Sequence, residues 1–350
     1  MKKINLALVG CGYWGPNLLR HFYQHKECQL CLVCDIDPAA REYVQKRYPQ
    51  VPTTADFNAV LDPSIDAVVI ATDATSHYAL AKDCLEAGRH VLVEKPMTMQ
   101  TAHADELVAI AQRHNVRLMT GHTFEYHPAV RALKEILQKG TIGQTYYVTS
   151  QRVNYGIVRH DINALWSLAP HDISILIYLF ECMPTSVSAV GYAFLQRGIE
   201  DVVFLQLNFS GNIHVHLQVS WLNPEKIRRM TFVGSQKMIV YDDLAEHKVV
   251  IYDKGLQRSN IYDSLGVVDD FIKFQKIRSA GDMTVPQLDT TEPLKLECDH
   301  FIQSIIEGRD PLTDGANGRR VIAVLEAAQK SLDLNGELTM IQSCSHESVI

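Results

Sequence analysis

The sequence lacks any uninterrupted apolar stretch approaching membrane-spanning length, although 47% of its 350 residues are hydrophobic. It also lacks an excess of basic residues: 33 lysines and arginines face 40 aspartates and glutamates, which leaves a net charge of −7. These absences argue against a membrane protein and against nucleic acid as a partner. The first residues run directly into a short strand without the apolar core of a signal peptide, so we expect a cytoplasmic protein.

Cysteine is too sparse for a disulfide framework, with eight residues in a chain of this length. Cys28, Cys31 and Cys34 have a spacing that resembles that of metal ligands. They run into a predicted strand, however, where Cys31 would point away from the other two because alternate residues face opposite sides. The sequence therefore predicts small buried side chains at these positions and no metal site.

A glycine turn between two apolar runs is the most informative pattern that is present. The run Ile4–Val9 leads into Gly10-Cys-Gly-Tyr-Trp-Gly15, an amphipathic segment follows, and the run Leu30–Cys34 ends in Asp35. Strand, glycine turn, helix, strand and acid in this order are the fingerprint of a dinucleotide-binding βαβ unit. The sequence therefore predicts a nucleotide site at the start of the chain.

Each residue of this fingerprint has a distinct expected role. Gly10 permits the tight turn, Gly12 lets the backbone approach a pyrophosphate, and Gly15 lets the helix lie close to the strand. Asp35 lies 20 residues beyond Gly15, where its carboxylate would accept hydrogen bonds from the adenosine ribose. Because a carboxylate repels a 2′-phosphate and no basic clamp follows it directly, NAD is expected rather than NADP.

Strands and helices alternate through residue 122, which predicts a Rossmann domain with a doubly wound parallel sheet over 1–122. Its predicted strands are 4–9, 29–35, 66–71, 90–94 and 117–121. After residue 123 strand patterns dominate, interrupted by a helix near 171–181 and closed by helices near 294–307 and 316–333. We therefore expect an α+β domain over 123–350 with a large, mostly antiparallel sheet.

Two features of this second domain bear on assembly and on its outline. Helices should cover one face of its sheet, and the apolar content of the strands predicts that another subunit covers the other face. The expected assembly is a homo-oligomer, a dimer or a tetramer. Residues 254–290 are rich in Gly, Ser and Asp and predict a long irregular loop or arm.

Chemistry in such a fold is expected at the carboxyl ends of the parallel strands. Thr72–His77, Glu94-Lys95-Pro96 and Gly121-His122 follow three successive predicted strands. A lysine beside a nicotinamide ring can hydrogen-bond a substrate hydroxyl as it loses its proton, although a solvated loop lysine is the ordinary alternative for Lys95. The expected cofactor contacts are Gly10, Gly12, Tyr13, Trp14, Gly15, Asp35, Ile36, Thr72, Ala74, His77, Glu94, Lys95 and His122.

A second cluster spans Trp166–Asp172. Pro170 suits the first turn of a helix, so we expect His171 at the start of that helix, where the positive end of the dipole favours the neutral, proton-accepting imidazole. Asp172 could cap the helix, act in catalysis or favour the dipole, and capping is the default for Asp at a helix start.

These motifs in this order resemble the Gfo/Idh/MocA family of sugar and inositol oxidoreductases over nearly the whole chain. Further segments resemble its NAD-dependent nucleotide-sugar 3-dehydrogenases, which act on UDP-N-acetylglucosamine or its uronic acid. These segments are Gly12–Gly15, Gly121–Phe124, Arg152-x-Asn154, Arg159–Trp166 and Leu168–Asp172.

The resemblance implies that Lys95 and His171 are the catalytic pair of an enzyme that oxidises the carbon-3 hydroxyl of such a sugar. Arg152 could bind a diphosphate or carboxylate, or it could be a surface cation, and the two alternatives weigh equally. Asp161 and Asn163 could order the loop above the substrate pocket, or they could act as structural caps. The substrate contacts that the resemblance implies are Lys95, Arg152, Asn154, Asp161, Asn163, Trp166, His171 and Asp172.

One position departs from the family pattern. The family usually has an aspartate four residues before the histidine, where this chain has Ser167. A serine holds no negative charge against Lys95, which leaves two alternatives: Asp172 compensates for the missing acid, or the activity is altered or absent. The open alternatives are an NAD(P)H-dependent 3-ketosugar-nucleotide reductase, a free sugar or inositol dehydrogenase, and a non-catalytic NAD-binding sensor.

Overall fold

A computed structural model describes residues 3–156, 158–253 and 281–342. These residues form two compact units. The first contains Met1–Tyr126 and Thr291–Glu326, and the second contains His127–Thr290 and Ala327–Ser343, each within the described ranges.

The N-terminal part of the first unit alternates strands and helices around a parallel sheet of six strands. The sheet order is β3-β2-β1-β4-β5-β6. Short 3₁₀ turns at Phe57–Leu61, Ala74–Ser76 and Thr123–Tyr126 complete it. The elements in chain order are β1 (Ile4–Val9), α1 (Gly15–Gln24), β2 (Cys28–Cys34), α2 (Pro38–Arg47), β3 (Thr53–Thr54), β4 (Ala67–Ile70), α3 (His77–Glu86), β5 (His90–Glu94), α4 (Thr101–His114) and β6 (Leu118–Gly121).

The following part of the chain builds a mixed sheet with nine strands among the described residues. Its order is β14-β13-β12-β11-β7-β10-β9-β8-β15, and β7 with β10 is its parallel pair. The elements are α5 (Pro128–Gln138), β7 (Thr145–Tyr155), α6 (Ala164–Phe180), β8 (Pro184–Tyr192), β9 (Val202–Phe209), β10 (Ile213–Ser220), β11 (Leu222–Gly234), β12 (Met238–Asp242), β13 (Val249–Tyr252), β14 (Met283–Thr284), α7 (Pro293–Glu307), α8 (Gly315–Asp333) and β15 (Thr339–Met340).

Both faces of the first sheet are covered, as the continuous apolar strands require. Leu6 and Leu8 on one face of β1 pack with α1 and α7, where Phe22 meets Phe301 edge to face at 6.3 Å between ring centroids. Ala7 and Val9, on the opposite face of β1, pack with α3 and α4. The expected doubly wound Rossmann architecture and the expected α+β second domain are thus confirmed.

The compact units differ in outline from the predicted division into 1–122 and 123–350, which stays a prediction. Residues 291–326 belong to the first unit because Leu294, Cys298 and Phe301 of α7 bury their side chains with those of α1. Sequence periodicity cannot indicate which sheet a late amphipathic helix will cover.

Most predicted elements lie within a few residues of the observed ones. The sequence analysis missed β3, β13, β14 and β15, and three of these are two-residue strands at sheet edges, too short for a periodic pattern. The predicted irregular stretch 254–290 lies outside the described residues up to 280, and its described remainder contains β14. Among the helices that the structure describes, none combines the length and apolarity needed to cross a bilayer.

Gly15→Ala tests the close approach of α1 to the glycine turn. A β-carbon there would lie 2.3 Å from the carbonyl oxygen of Gly10, whose own N–H is held by the Cys34 carbonyl at 2.8 Å. Because this neighbour is anchored backbone, the substitution should lower the free energy of unfolding by about 1–3 kcal/mol. Chemical denaturation without cofactor measures the change.

Gly12→Ala is the matched control, because no atom lies within 4 Å of its hypothetical β-carbon. This variant should unfold at the denaturant concentration of the wild type. Equal stability of the Gly15→Ala and Gly12→Ala proteins would contradict the predicted collision.

Candidate active site

The glycine turn after β1 has the geometry expected of a phosphate-binding loop. Gly10 adopts φ +88°, and a β-carbon there would lie 2.6 Å from the carbonyl oxygen of Ala71. Gly12 is exposed with open space around it, and Trp14, the residue before α1, makes no side-chain capping bond to the helix. An open backbone beside a helix N-terminus without a side-chain cap fits the pyrophosphate of a dinucleotide.

Asp35 holds the same turn from the end of β2. Its carboxylate accepts hydrogen bonds from the backbone N–H of Cys11 at 2.6 Å and of Asp37 at 2.8 Å. Each carboxylate oxygen has two lone pairs, so the group retains capacity for ribose hydroxyls. Asp35 therefore fixes the turn in addition to its expected role toward the ribose.

A cation that the sequence analysis missed lies close to this acid. The Arg41 guanidinium donates to the backbone carbonyl oxygens of Asp35 at 2.7 Å and of Ile36 at 3.0 Å. The residues directly after Asp35 are not basic, but α2 brings Arg41 back to the end of β2. Nearby, the side chains of Tyr13 and Ile36 are 84% and 87% exposed, as expected of apolar surface that a ligand would cover.

In the loop after β4, the expected cofactor residues are buried or bonded to other protein groups. The Thr72 hydroxyl is bonded to that of Ser76 at 2.7 Å, and Ala74 is buried. The buried His77 ring lies 2.8 Å from the Pro96 carbonyl oxygen through Nδ1 and 3.1 Å from that of Thr72 through Nε2. Burial lowers the pKa of His77, and these two hydrogen bonds oppose the shift. His77 thus joins the loops that follow β4 and β5.

Lys95 lies in the second of these loops, half-buried, and its peptide bond to Pro96 is cis. The preceding residue, Glu94, is buried, and its carboxylate accepts a hydrogen bond from the Lys95 backbone N–H at 3.2 Å. Burial raises the pKa of Glu94 to about 7, while the Lys95 charge lowers it. The candidate catalytic lysine therefore follows a buried carboxyl group whose pKa is raised.

Two further buried carboxyl groups belong to the same unit. Glu297 of α7 accepts a hydrogen bond from the Thr123 hydroxyl at 2.7 Å, and burial followed by the charge of Glu94 raises its pKa well above the ordinary value. Glu125 accepts from the Asn317 side-chain amide at 3.1 Å. These groups surround the residues that follow β6.

His122 lies among them, 1% exposed, with Nδ1 2.7 Å from the side-chain oxygen of Asn317. Burial lowers the pKa of His122 to about 4; the Asn317 hydrogen bond opposes this shift, and the Lys95 charge adds to it. In the first unit the structure thus brings together Glu94, Lys95 and His122.

In the second unit, the helix that carries His171 begins earlier than predicted. It spans Ala164–Phe180, and Asn163 is its N-cap, accepting from the Trp166 N–H at 3.2 Å. Pro170 lies inside the helix, so the expected start at Pro170 and the dipole argument for a neutral His171 are wrong. The N-cap and the long apolar run after it outweigh the proline as a boundary signal.

Asp172 does not cap a helix. It is 1% exposed on α6, accepts from the Ser150 hydroxyl at 2.7 Å, and forms an ion pair with the buried Arg152 of β7. Arg152 is therefore not a surface cation, and the observed role of the pair is to fasten α6 to the sheet. His171, the residue before Asp172, is half-buried on this helix.

Three other predicted substrate residues are engaged with their own unit. The Asn163 amide donates to Glu200 at 2.6 Å and to Gln329 at 3.0 Å. The buried Trp166 indole N–H donates to Gln329 at 3.1 Å, and Asp161 pairs with Arg159 at 2.8 Å. Asn154 is half-buried near the end of β7, and Ser167 is half-buried on α6.

Sequence reasoning missed the charged and polar groups behind the candidate residues. These are Arg41, Glu125, Ser150, Glu297 and Asn317. Glu297 left a signal, since it lies three residues after Leu294 and four before Phe301 on the apolar face of its helix. Within residues 3–156, 158–253 and 281–342, no three His, Cys, Asp or Glu side chains are arranged to hold a metal ion.

Comparisons with known proteins agree with this geometry. Residues 4–122 match the model of an oxidoreductase family with an NAD-binding Rossmann fold, and residues 130–240 match a GFO/IDH/MocA C-terminal domain. The chain is similar to UDP-N-acetylglucosamine 3-dehydrogenase of Acidithiobacillus ferrooxidans, with 28% identity over 74% of this chain and 76% of the relative. A solved structure of that enzyme has a TM-score of 0.79, with 25% identity, and the match covers 95% and 99% of the two chains.

Two more distant relatives outline the family's range. Myo-inositol 2-dehydrogenase of Thermotoga maritima is 23% identical over 94% of this chain and 96% of its own. GenD2 from gentamicin A biosynthesis, solved in complex with NAD, shares the fold with a TM-score of 0.81 and 21% identity, over 98% of this chain and 97% of its own.

Arg152→Met tests the buried ion pair. The substitution leaves the Asp172 carboxylate buried without its cationic partner, so the free energy of unfolding should fall by about 3–5 kcal/mol. Urea denaturation at neutral pH measures the loss.

Arg229→Met is the control, because Arg229 is 54% exposed and pairs with Asp242 at 2.8 Å on the same sheet. Loss of this exposed pair should change stability by at most about 1 kcal/mol. Comparable effects of the two substitutions would refute the structural role of Arg152.

Proposed function

This chain belongs to the Gfo/Idh/MocA family of NAD-binding oxidoreductases, and we propose that it oxidises the carbon-3 hydroxyl of a nucleotide-linked sugar to a ketone. The proposed substrate class is the UDP-N-acetylglucosamine type. The observation that carries the proposal is the similarity to a UDP-N-acetylglucosamine 3-dehydrogenase, whose solved structure matches 95% of this chain. The site residues give the proposal its chemistry.

The glycine turn and Asp35 would hold the cofactor. Backbone N–H groups from Gly12 to Gly15 receive the pyrophosphate, and the Asp35 carboxylate receives the adenosine ribose hydroxyls. NAD, when bound, supplies the hydride acceptor of the reaction. The exposed side chains of Tyr13 and Ile36 would be covered by it.

His171 and Lys95 would act on the sugar. The His171 imidazole accepts the proton of the carbon-3 hydroxyl as the carbon is oxidised. The Lys95 ammonium donates a hydrogen bond to the same oxygen and stabilises the negative charge that develops on it. Both side chains are half-buried, which leaves each accessible to a ligand.

Ser167 and Asp172 change this arrangement relative to the family pattern. Ser167 supplies no charge, and both oxygens of Asp172 already accept hydrogen bonds, from Ser150 and Arg152. We therefore assign Asp172 and Arg152 to positioning His171, with Asn154 and Asp161 as the remaining candidates for sugar contact. Glu94, next to Lys95, is the carboxyl group that can balance the ammonium.

The proposed protein is a homo-oligomer. One face of the second sheet presents half-buried apolar side chains on β12 and β13, and Tyr147 of β7 is 47% exposed. A second copy of the chain that packs on this face would bury them.

A substrate panel tests the proposed reaction. Purified protein should form NADH, seen by absorbance, with UDP-N-acetylglucosamine or its uronic acid, and should prefer NAD to NADP because of Asp35. UDP should compete, because only a nucleotide-sugar site binds it. Turnover of myo-inositol or a free sugar with no inhibition by UDP would replace the proposal with a free-polyol dehydrogenase, and cofactor binding without any reduction would indicate a sensor.

Lys95→Ala should abolish turnover and leave NAD affinity nearly unchanged, because the ammonium acts on the substrate oxygen. Steady-state kinetics and fluorescence titration of NAD measure the two effects. Lys46→Ala is the control, since Lys46 is a 74% exposed lysine of α2 in the same unit. Unchanged turnover in Lys95→Ala would remove Lys95 from the mechanism.

A further inference from the structure

Strand register brings Lys95 and His122 side by side. β5 and β6 are parallel, and Glu94 pairs with Gly121 at their carboxyl ends. Lys95 and His122 are the first residues after these two strands, which lie about 4.8 Å apart where they pair. The strand ends are so close that a β-carbon on Gly121 would lie 2.9 Å from a Glu94 carboxylate oxygen.

The hydrogen bonds of Asn317 fix the tautomer of His122. The side-chain amide nitrogen of Asn317 donates to the Glu125 carboxylate, at 3.1 and 3.3 Å from its two oxygens. The amide oxygen of Asn317 then faces His122 Nδ1 at 2.7 Å, and only an N–H on Nδ1 satisfies it. The lone pair of the ring is therefore on Nε2.

The ring is also held neutral. It is 1% exposed, and burial, with the Lys95 and Arg320 charges, outweighs the Asn317 hydrogen bond and lowers the pKa of His122 to about 4. The Glu125 carboxylate lies 3.7 Å from Nδ1, on the side of the ring that carries the proton. This buried ring is therefore an acceptor through Nε2, and the Lys95 charge acts on it more strongly than the Arg320 charge.

We propose that His122 is a positioning residue for Lys95: its Nε2 accepts a hydrogen bond from the Lys95 ammonium, and Asn317 and Glu125 hold the ring in the required tautomer and orientation. The inference deepens the proposed function and rests on it, since it assigns His122 a role in placing the amine that acts on the substrate oxygen. It replaces direct cofactor contact as the role of His122. A neutral acceptor orients the ammonium without cancelling its charge, which suits a chain with Ser167 in place of the family's acid.

Two substitutions distinguish the roles of the two ring nitrogens of His122. His122→Asn places an amide nitrogen near the position of Nδ1, so it keeps a donor for Asn317 and loses the acceptor for Lys95. His122→Gln places an amide oxygen near the position of Nε2, so it keeps the acceptor and loses the Asn317 bond. His114→Asn, at the exposed end of α4, is the control for histidine replacement.

We expect one variant to lose kcat and the other to lose stability. His122→Asn should lower kcat about 10- to 100-fold with little change in KM or in NAD affinity, because a charge-assisted hydrogen bond to the amine is lost. His122→Gln should retain kcat within about threefold of the wild type while unfolding more easily. A purely structural histidine would give the opposite ranking, and a cofactor contact would weaken NAD binding in both; either result would overturn the proposal.

Nitrogen NMR of histidine-labelled protein supplies a readout that needs no substrate. The His122 signal, assigned by its loss in His122→Asn, should show the neutral Nδ1–H tautomer from pH 6 to pH 8. An imidazolium or an Nε2–H tautomer in this range would refute the inference even if turnover is found. If Lys95→Ala leaves turnover unchanged, the proposed function fails whatever tautomer is observed.

Discussion

The candidate active site depends on the pairing of β5 with β6, because this pairing decides which groups lie beside Lys95. Glu94 is directly opposite Gly121, where a β-carbon would lie 2.9 Å from a carboxylate oxygen of Glu94. The backbone then continues to Lys95 on one strand and His122 on the other. A shift of one residue in this register would turn the side chains of the shifted strand to the opposite face of the sheet and remove the proposed contact.

Both candidate catalytic residues follow or precede a buried carboxyl group in the sequence. Glu94 precedes Lys95 and accepts its backbone N–H, while Asp172 follows His171 and is bound by Arg152 and Ser150. In each unit the buried group fixes a backbone segment, and the neighbouring candidate residue is half-buried. Desolvation makes such groups expensive to bury, so their partners constrain the local backbone strongly.

Features of the site that depend on residues close together in the sequence could be predicted from the sequence. The spacing of Gly10, Gly12, Gly15 and Asp35 indicates the nucleotide turn because each residue answers a steric or charge requirement within one βαβ unit. The prediction failed at α6, where Pro170 was interpreted as a start signal. Asn163 and the apolar residues that follow it set the boundary instead, through a capping bond and burial against the sheet.

The sequence by itself determined the class of fold and the dinucleotide turn, because strand alternation and glycine spacing are local patterns. It also indicated Lys95 and His171 as candidate catalytic residues. Only the tertiary structure decided that Arg152 is bound to Asp172, that α7 packs on the first sheet, and that Asn317 sets the tautomer of His122. Arg152 and Asp172 are 20 residues apart in the sequence, and His122 and Asn317 are 195 residues apart. Which buried donor meets which acceptor is fixed by packing in three dimensions, because no local pattern records the partner of a desolvated charge.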